Sequence, residues 1–241
     1  MDRIRALVAA AGAGKRAGLP YPKTLYPVGG RPILLRLFDR LIKFDPTPTV
    51  IVSPDGLEAV RACLAGAGFA ADLLIQEQPT GMGDAVLEFE RAAARLDADH
   101  LILVWGALAG LRQETLDAMV DTHLRHGNDF TFVTAVVDEA YTIVERTQDG
   151  AVKSVVETRQ LQTEPGPGER DIGLFIFRPE PILALLSERL AGAIGQATGE
   201  HGFLYLIRHA TERGLKVEAL PIAGTMDLIS MNRITDLDAL A

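Results

Sequence analysis

The residues best spaced for chemistry lie near the amino terminus. An apolar run from Leu7 to Ala11 enters a turn carrying Gly12, Gly14, Lys15, Arg16 and Gly18, and Lys23 follows directly behind Pro22. Glycines let backbone N–H groups approach phosphate oxygens closely, and the cations neutralise charge that those dipoles cannot. A polyphosphate held at the end of a strand is the chemistry implied, with Ala10, Ala11, Gly12, Gly14 and Lys15 as its cradle. A dinucleotide fingerprint would need glycine at position 17, where Ala17 stands, with Gly18 one residue late. A secretory signal would need a longer apolar run than Ala6 to Ala11, which Lys15 and Arg16 follow at once.

A second group spans residues 76–86, between a strand and a helix, where open α/β sheets bind their ligands. The Gln76 amide offers both a donor and an acceptor to a pyrimidine edge, and Gly81 lets the backbone meet a base. Thr80 reads either as a contact to that ligand or as an ordinary helix cap. No nucleophilic triad or zinc spacing is evident around Cys63 or the histidines, and His123 and His126, three residues apart on a helix, read as a solvated face.

The first segment resembles the signature of the sugar-nucleotidyltransferase superfamily, L-x-A-A-G-x-G-x-R-x-G, then P-K, then P-x-x-G-x-P-x-L. Gly12, Gly14, Arg16, Gly18, Pro22, Lys23, Pro27, Gly30 and Pro32 fall on that pattern, and residues 76–86 are similar to the family's Q-x-x-x-x-G-x-x-x-A-V. The resemblance implies transfer of an NMP from an NTP to a sugar 1-phosphate with release of pyrophosphate. Arg16 would hold the departing phosphates and Lys23 the α-phosphate. Mg²⁺ would be held by an aspartate after Gly106 and by an asparagine in a G-V-N-x-x-x-D-L pattern. Asn232 matches the asparagine, but Ala107 stands where the aspartate is expected.

Losing the only carboxylate should weaken the cation's positioning severely. Asp227 and Asp84 are candidate substitutes by context, although neither ends that strand. Either an engineered Asp→Ala change or a homologue that has lost catalysis would give this pattern, and the intact Arg16, Lys23 and Asn232 favour the former. The expectation is an NTP-binding chain with slow or absent turnover; the alternatives are an inactive nucleotide-binding homologue and a cytidylyltransferase for a non-sugar phosphate. Val155-Val-Glu157 is similar to the family's I-V-E, and Asp171-Ile-Gly173 to its N-x-G, so Glu157 and Asp171 are the implied acceptor contacts. A carboxylate at 171 accepts but does not donate, so the acceptor is expected to differ from N-acetylglucosamine 1-phosphate. Residues 198–202 resemble G-E-Y-Y with the tyrosines replaced, and His201 is expected at the surface.

The elements that must position these groups alternate. Strands are expected at 5–9, 49–53, 73–76, 100–105 and 130–137, with helices at 33–43, 57–67, 83–96 and 113–126 between them. That rhythm predicts an α/β fold, a Rossmann-like open and mainly parallel sheet flanked by helices. From about residue 141 strands at 141–145, 151–157 and 172–177 replace it, with a loop at 162–169, forming a small β-rich acceptor-binding subregion. Helices at 179–190 and 202–213, a strand at 217–220 and a short helix from 235 follow. The expectation is one domain over 1–241, its nucleotide-binding half at 1–140 and its acceptor-binding half at 141–241.

With 241 residues and 48% hydrophobic content the chain can bury a large core, and no apolar run approaches the roughly eighteen residues of a membrane span. A single cysteine fits the cytoplasm, and a net charge of −8 argues against nucleic acid. The expected partners are an NTP and a sugar 1-phosphate, with no nucleic acid and no membrane. No hexapeptide repeat is present, so the β-helix acyltransferase domain that some family members carry is not expected.

Overall fold

Alternate residues of the central strands are apolar on both faces, as a strand buried between two helical layers requires. In the strand at 100–105, Ile102 and Val104 join one core while Leu101 and Leu103 join the other. A computed structural model describes residues 2–12, 18–231 and 237. Its strands are β1 (Ile4–Ala9), β2 (Pro27–Val28), β3 (Arg31–Pro32), β4 (Thr49–Val52), β5 (Asp72–Ile75), β6 (His100–Trp105), β7 (Phe130–Ala140), β8 (Thr142–Arg146), β9 (Val152–Glu157), β10 (Gly166–Phe177) and β11 (Val217–Leu220). The helices are α1 (Ile33–Leu41), α2 (Leu57–Gly66), α3 (Met82–Leu87), α4 (Gln113–His126), α5 (Thr158–Leu161), α6 (Pro179–Ser187) and α7 (Leu206–Glu212).

Seven strands form one sheet in the order β11-β7-β10-β6-β1-β4-β5. All run parallel except β10, which pairs antiparallel with both β6 and β7. The sheet is therefore the mainly parallel one the alternation predicts. Residues α1, α2 and α4 contribute, such as Phe38, Leu64 and Met119, cover one face with Val8, Val50 and Val104. The other face packs α3, α6 and α7 on a cluster of Phe130, Phe132, Phe175, Phe177 and Phe203. Phe130 stacks on Phe177 at 5.6 Å, and each such ring contributes roughly 1.5–3 kcal/mol by leaving water.

Four features depart from expectation. The helix expected over 83–96 stops at Leu87 and continues as two 3₁₀ turns, because Ala92 takes an extended ψ of 138° and Arg3 draws in Asp97 and Asp99. The loop expected at 162–169 is strand from Gly166, because its Pro- and Gly-rich sequence pairs with the far end of β7, with a register shift around Pro167. Both β10 and β11 belong to the main sheet, so only the β8–β9 hairpin stands apart as the small antiparallel sheet of the second half. The helix expected at 202–213 is shorter, Leu206–Glu212, since Gly202 closes a turn onto the Ala193 carbonyl. The helix expected from 235 lies outside the described residues, except for Leu237.

Candidate functional site

The chain runs from β1 outward to β4 and β5, then returns to place β6 on the other side of β1. The reversal is a topological switch point, and in such sheets ligands bind in the crevice beyond the carboxyl ends of the strands, here β1 and β6. Residues 10–12 leave β1 on one side of it, and Gly106 and Ala107 leave β6 on the other. The two lips touch: Gly106 N–H donates to the Ala9 carbonyl at 2.9 Å, and a Cβ at Gly106 would lie 2.9 Å from that same oxygen. Ala10 is buried beneath the crevice, Ala11 is half-buried and Gly12 is exposed. Gly14, Lys15 and Arg16 lie outside the described residues.

Lys23 follows Pro22 in a 3₁₀ turn (Lys23–Leu25), and its Nζ donates to the Met231 carbonyl at 3.3 Å. Gly12 has Lys23 Cε within 3.6 Å of where its Cβ would be, so the first loop and the lysine share one space. Met231 N–H in turn donates to the Ala107 carbonyl at 2.9 Å, beside a bridge between Leu108 and Ser230. Asn232, the next residue, lies outside the described residues. Lys23, the end of β6 and the segment leading to Asn232 therefore converge, although they are far apart in sequence.

The position expected to hold the metal carboxylate carries the buried methyl of Ala107. The two substitutes are engaged elsewhere. Asp227 is wholly buried and accepts hydrogen bonds from Arg112 N, Nε and Nη2, Thr115 Oγ1 and Gly224 N. Asp84 faces His201 and Arg189. Among the described residues no three His, Cys, Asp or Glu side chains gather as a metal would require. These residues do not fit Mg²⁺ held in the manner the resemblance implies.

Gln76 is buried at the end of β5, and its Nε2 donates to the Gly81 carbonyl at 2.9 Å, which shapes the loop that it begins. Thr80 is exposed and bonds to the Gln78 carbonyl; it does not cap α3, whose N-cap is Gly81 at φ 119°. Glu157 ends β9 half-buried and is paired with Arg159. Asp171 is enclosed, its carboxylate accepting from Thr142 Oγ1 at 2.6 Å and from Gly173 N–H at 2.9 Å, and burial raises its pKa. It bends β10 just beyond the end of β6, where the Trp105 ring rests against Gly173.

Sequence reading missed several groups. His201 is not at the surface but buried, because its ring is held by Asp84 at 2.8 Å and lies 3.2 Å from the Tyr205 hydroxyl. His123 is likewise buried and meets His100 at 2.9 Å and Thr131 at 2.9 Å, so the solvated face is left to His126. The indole N–H of Trp105, at the end of β6, is buried and has no hydrogen-bond partner among the described residues. Arg170 is buried over the Tyr141 ring, whose hydroxyl is pushed up to about 12 chiefly by burial. No local pattern announces these residues, since their partners are distant in the chain.

Known proteins match this arrangement. Residues 6–215 fit the MobA-like NTP transferase domain. The bifunctional protein GlmU of Alkalilimnicola ehrlichii is 32% identical over 97% of this chain and 49% of its own length, and that of Paraburkholderia xenovorans 30% identical over 95% and 51%. The chain thus spans about half the length of the curated relatives it matches. A UDP-glucose pyrophosphorylase solved with UDP-glucose shares the fold at a TM-score of 0.74 and 15% identity, covering 99% of this chain and 98% of that one. HddC from Yersinia pseudotuberculosis does so at 0.65 and 18%, covering 90% and 89%. The glycine-rich exit from β1, the following lysine and the domain match together show that this chain belongs to the MobA-like NTP transferase domain family, within the NTP-transferase superfamily.

Proposed function

We propose that the chain binds a pyrimidine nucleoside triphosphate and a sugar 1-phosphate in the crevice between β1 and β6, and that it is impaired in joining them. The reaction of that class is in-line attack of the sugar phosphate oxygen on the α-phosphorus, with pyrophosphate leaving. The attacking phosphate is already ionised near neutral pH, so no general base is required and the protein's task is positioning and charge neutralisation. Arg16 would meet the departing phosphates and Lys23 the α-phosphate, with the backbone of Ala10, Ala11, Gly12, Gly14 and Lys15 beneath them. The loop of Gln76, Thr80 and Gly81 would meet the base, and Glu157 with the bend at Asp171 would face the acceptor side. The GlmU relatives and the pyrophosphorylase solved with UDP-glucose support the sugar-phosphate class. The half-buried single Cys63 is consistent with a reducing cytoplasm, and no helix among the described residues is long and apolar enough to cross a membrane.

The observation that carries the impairment is the junction of Lys23, Met231 and Ala107, where the backbone is tied together but the side chain at 107 is a buried methyl with no carboxylate. Pyrophosphate release from UTP, CTP, dTTP and GTP with mixed sugar 1-phosphates and Mg²⁺, measured beside Ala107→Asp, tests it. The variant is expected to turn over at least about 100-fold faster, the scale of restoring one electrostatic group at a transferring phosphoryl centre. Equal activity in both chains would show that another residue does this work. Nucleotide binding by calorimetry with silence in both would favour the inactive binding homologue.

A further inference from the structure

We propose that His201 is a positioning residue that ties the nucleotide loop at 76–83 to the acceptor-side segment at 194–202, so that filling one half of the site strengthens binding in the other. This rests on the nucleotide reading above, since it assigns a task to the loop that reading places against the base.

Three sets of contacts converge on this one residue. Its backbone is stitched to the loop from both sides: His201 N–H donates to the Thr80 carbonyl at 2.7 Å, and Gly83 N–H donates to the His201 carbonyl at 2.9 Å. The approach is close enough that a Cβ on Gly81 would sit 2.3 Å from the His201 carbonyl oxygen, and one on Gly83 would sit 2.8 Å from its ring. The ring then fixes the start of α3. Nδ1–H donates to Asp84 Oδ1 at 2.8 Å, which also receives Arg189 Nη2 at 2.6 Å.

On the other side His201 bridges to Ile194, and the turn so formed is held to α5, where Gln160 Oε1 accepts from Ala197 N–H at 3.0 Å. The first residue of α5 follows Glu157 directly. The Gln76–Gly81, Thr80–His201 and Ala197–Gln160 hydrogen bonds, joined by the short backbone steps between them, therefore link the loop through His201 and its turn to the helix after Glu157. Groups linked in this way resist opening independently, and a shift at one end is transmitted to the other as a change in loop geometry. Any ligand that orders one end spares the second ligand part of that cost, and the coupling is reciprocal.

Titration calorimetry of UTP, CTP and dTTP, each with and without glucose 1-phosphate, on the wild-type chain, His201→Phe and His201→Asn is the experiment. Melting curves identify folded variants. His201→Phe keeps a ring but loses both polar contacts, and should weaken the bound nucleotide about tenfold and abolish its enhancement by the sugar phosphate. His201→Asn offers Nδ2–H to Asp84 and should stay within about threefold of wild type with the enhancement retained. A folded His201→Phe that binds and couples as wild type does would overturn the proposal. Should that variant fail to fold, Asp84→Ala is read in the same way: a matching loss supports the role, and unchanged binding and coupling refute it. A wild-type chain that binds none of the three nucleotides removes the nucleotide reading and the proposal together. Wild-type binding with no coupling overturns the proposal alone.

Discussion

Asp227 shows how far the wall of the crevice depends on a single carboxylate. It is inaccessible to water, and it collects the main-chain N–H groups of Arg112 and Gly224, the Thr115 hydroxyl and the Arg112 guanidinium. Asp227→Ala would strand two backbone donors and a hydroxyl, each costing about 1–3 kcal/mol when left unmet, so an overall loss of about 3 kcal/mol is expected. Asp227→Asn keeps one accepting oxygen and should lose roughly half as much. Urea unfolding of the two variants checks the order. Because residues 224–229 lead directly to Met231, whose carbonyl receives Lys23, nucleotide affinity should fall in the same order. If Asp227→Ala melted like wild type, the crevice wall would have to be held by the packing of Ile229 and Met231 instead.

At the scale of the element, the bend in β10 seats the Trp105 ring beyond the end of β6. Gly173 sits at φ 80°, and a Cβ there would lie 2.6 Å from the Trp105 ring. Gly173→Ala should therefore cost about 1–2 kcal/mol for the left-handed backbone, with more for the displaced ring. Trp105 is the only tryptophan, so its emission reports the displacement without interference; an unchanged spectrum would mean that the bend does not seat the ring. This element also marks where sequence reading reached its limit. The strands at 100–105 and 217–220 and the helix at 113–126 were legible to the residue, because their apolar periodicity is local and strong. The start of β10 was not, since Gly166 to Glu169 look like a turn until β7 supplies their partner. The same distinction holds in the site. Lys23, Gln76, Gly81 and Ala107 stand on compact motifs, whereas the Asp84–His201 and Arg112–Asp227 pairs join residues more than 110 positions apart.

For the whole molecule, the end of the sheet opposite the crevice carries a buried histidine relay that makes stability depend on pH. Asn128 Nδ2 donates to Thr131 Oγ1, Thr131 meets His123 Nδ1, and His123 Nε2 meets His100 Nδ1. His123 is pulled down to about 3, chiefly by burial and then by repulsion from His100, and burial also lowers His100. The His123 ring is thus neutral in the folded chain, while unfolded histidines take up protons near pH 6.5. A depressed folded pKa gives stability that is complete above the unfolded value and is lost as pH falls below it. For His123 alone the loss between pH 7 and pH 4.5 should be about 2–3 kcal/mol, close to one proton per molecule across most of that window. The depressed carboxylates, such as Glu169 beside Arg146 and Asp99 beside Arg3, titrate lower and add their loss only toward the acid end. Urea titrations at half-unit steps should show stability falling from about pH 6.5, before those carboxylates protonate. His123→Gln, which cannot gain a proton, should be less stable than wild type at pH 7.5 but flatter across the same range. A variant as steep as wild type would place the acid sensitivity elsewhere in the fold. The crevice is at the far end of the sheet from this relay, so nucleotide affinity should hold through the upper part of the window while stability already declines.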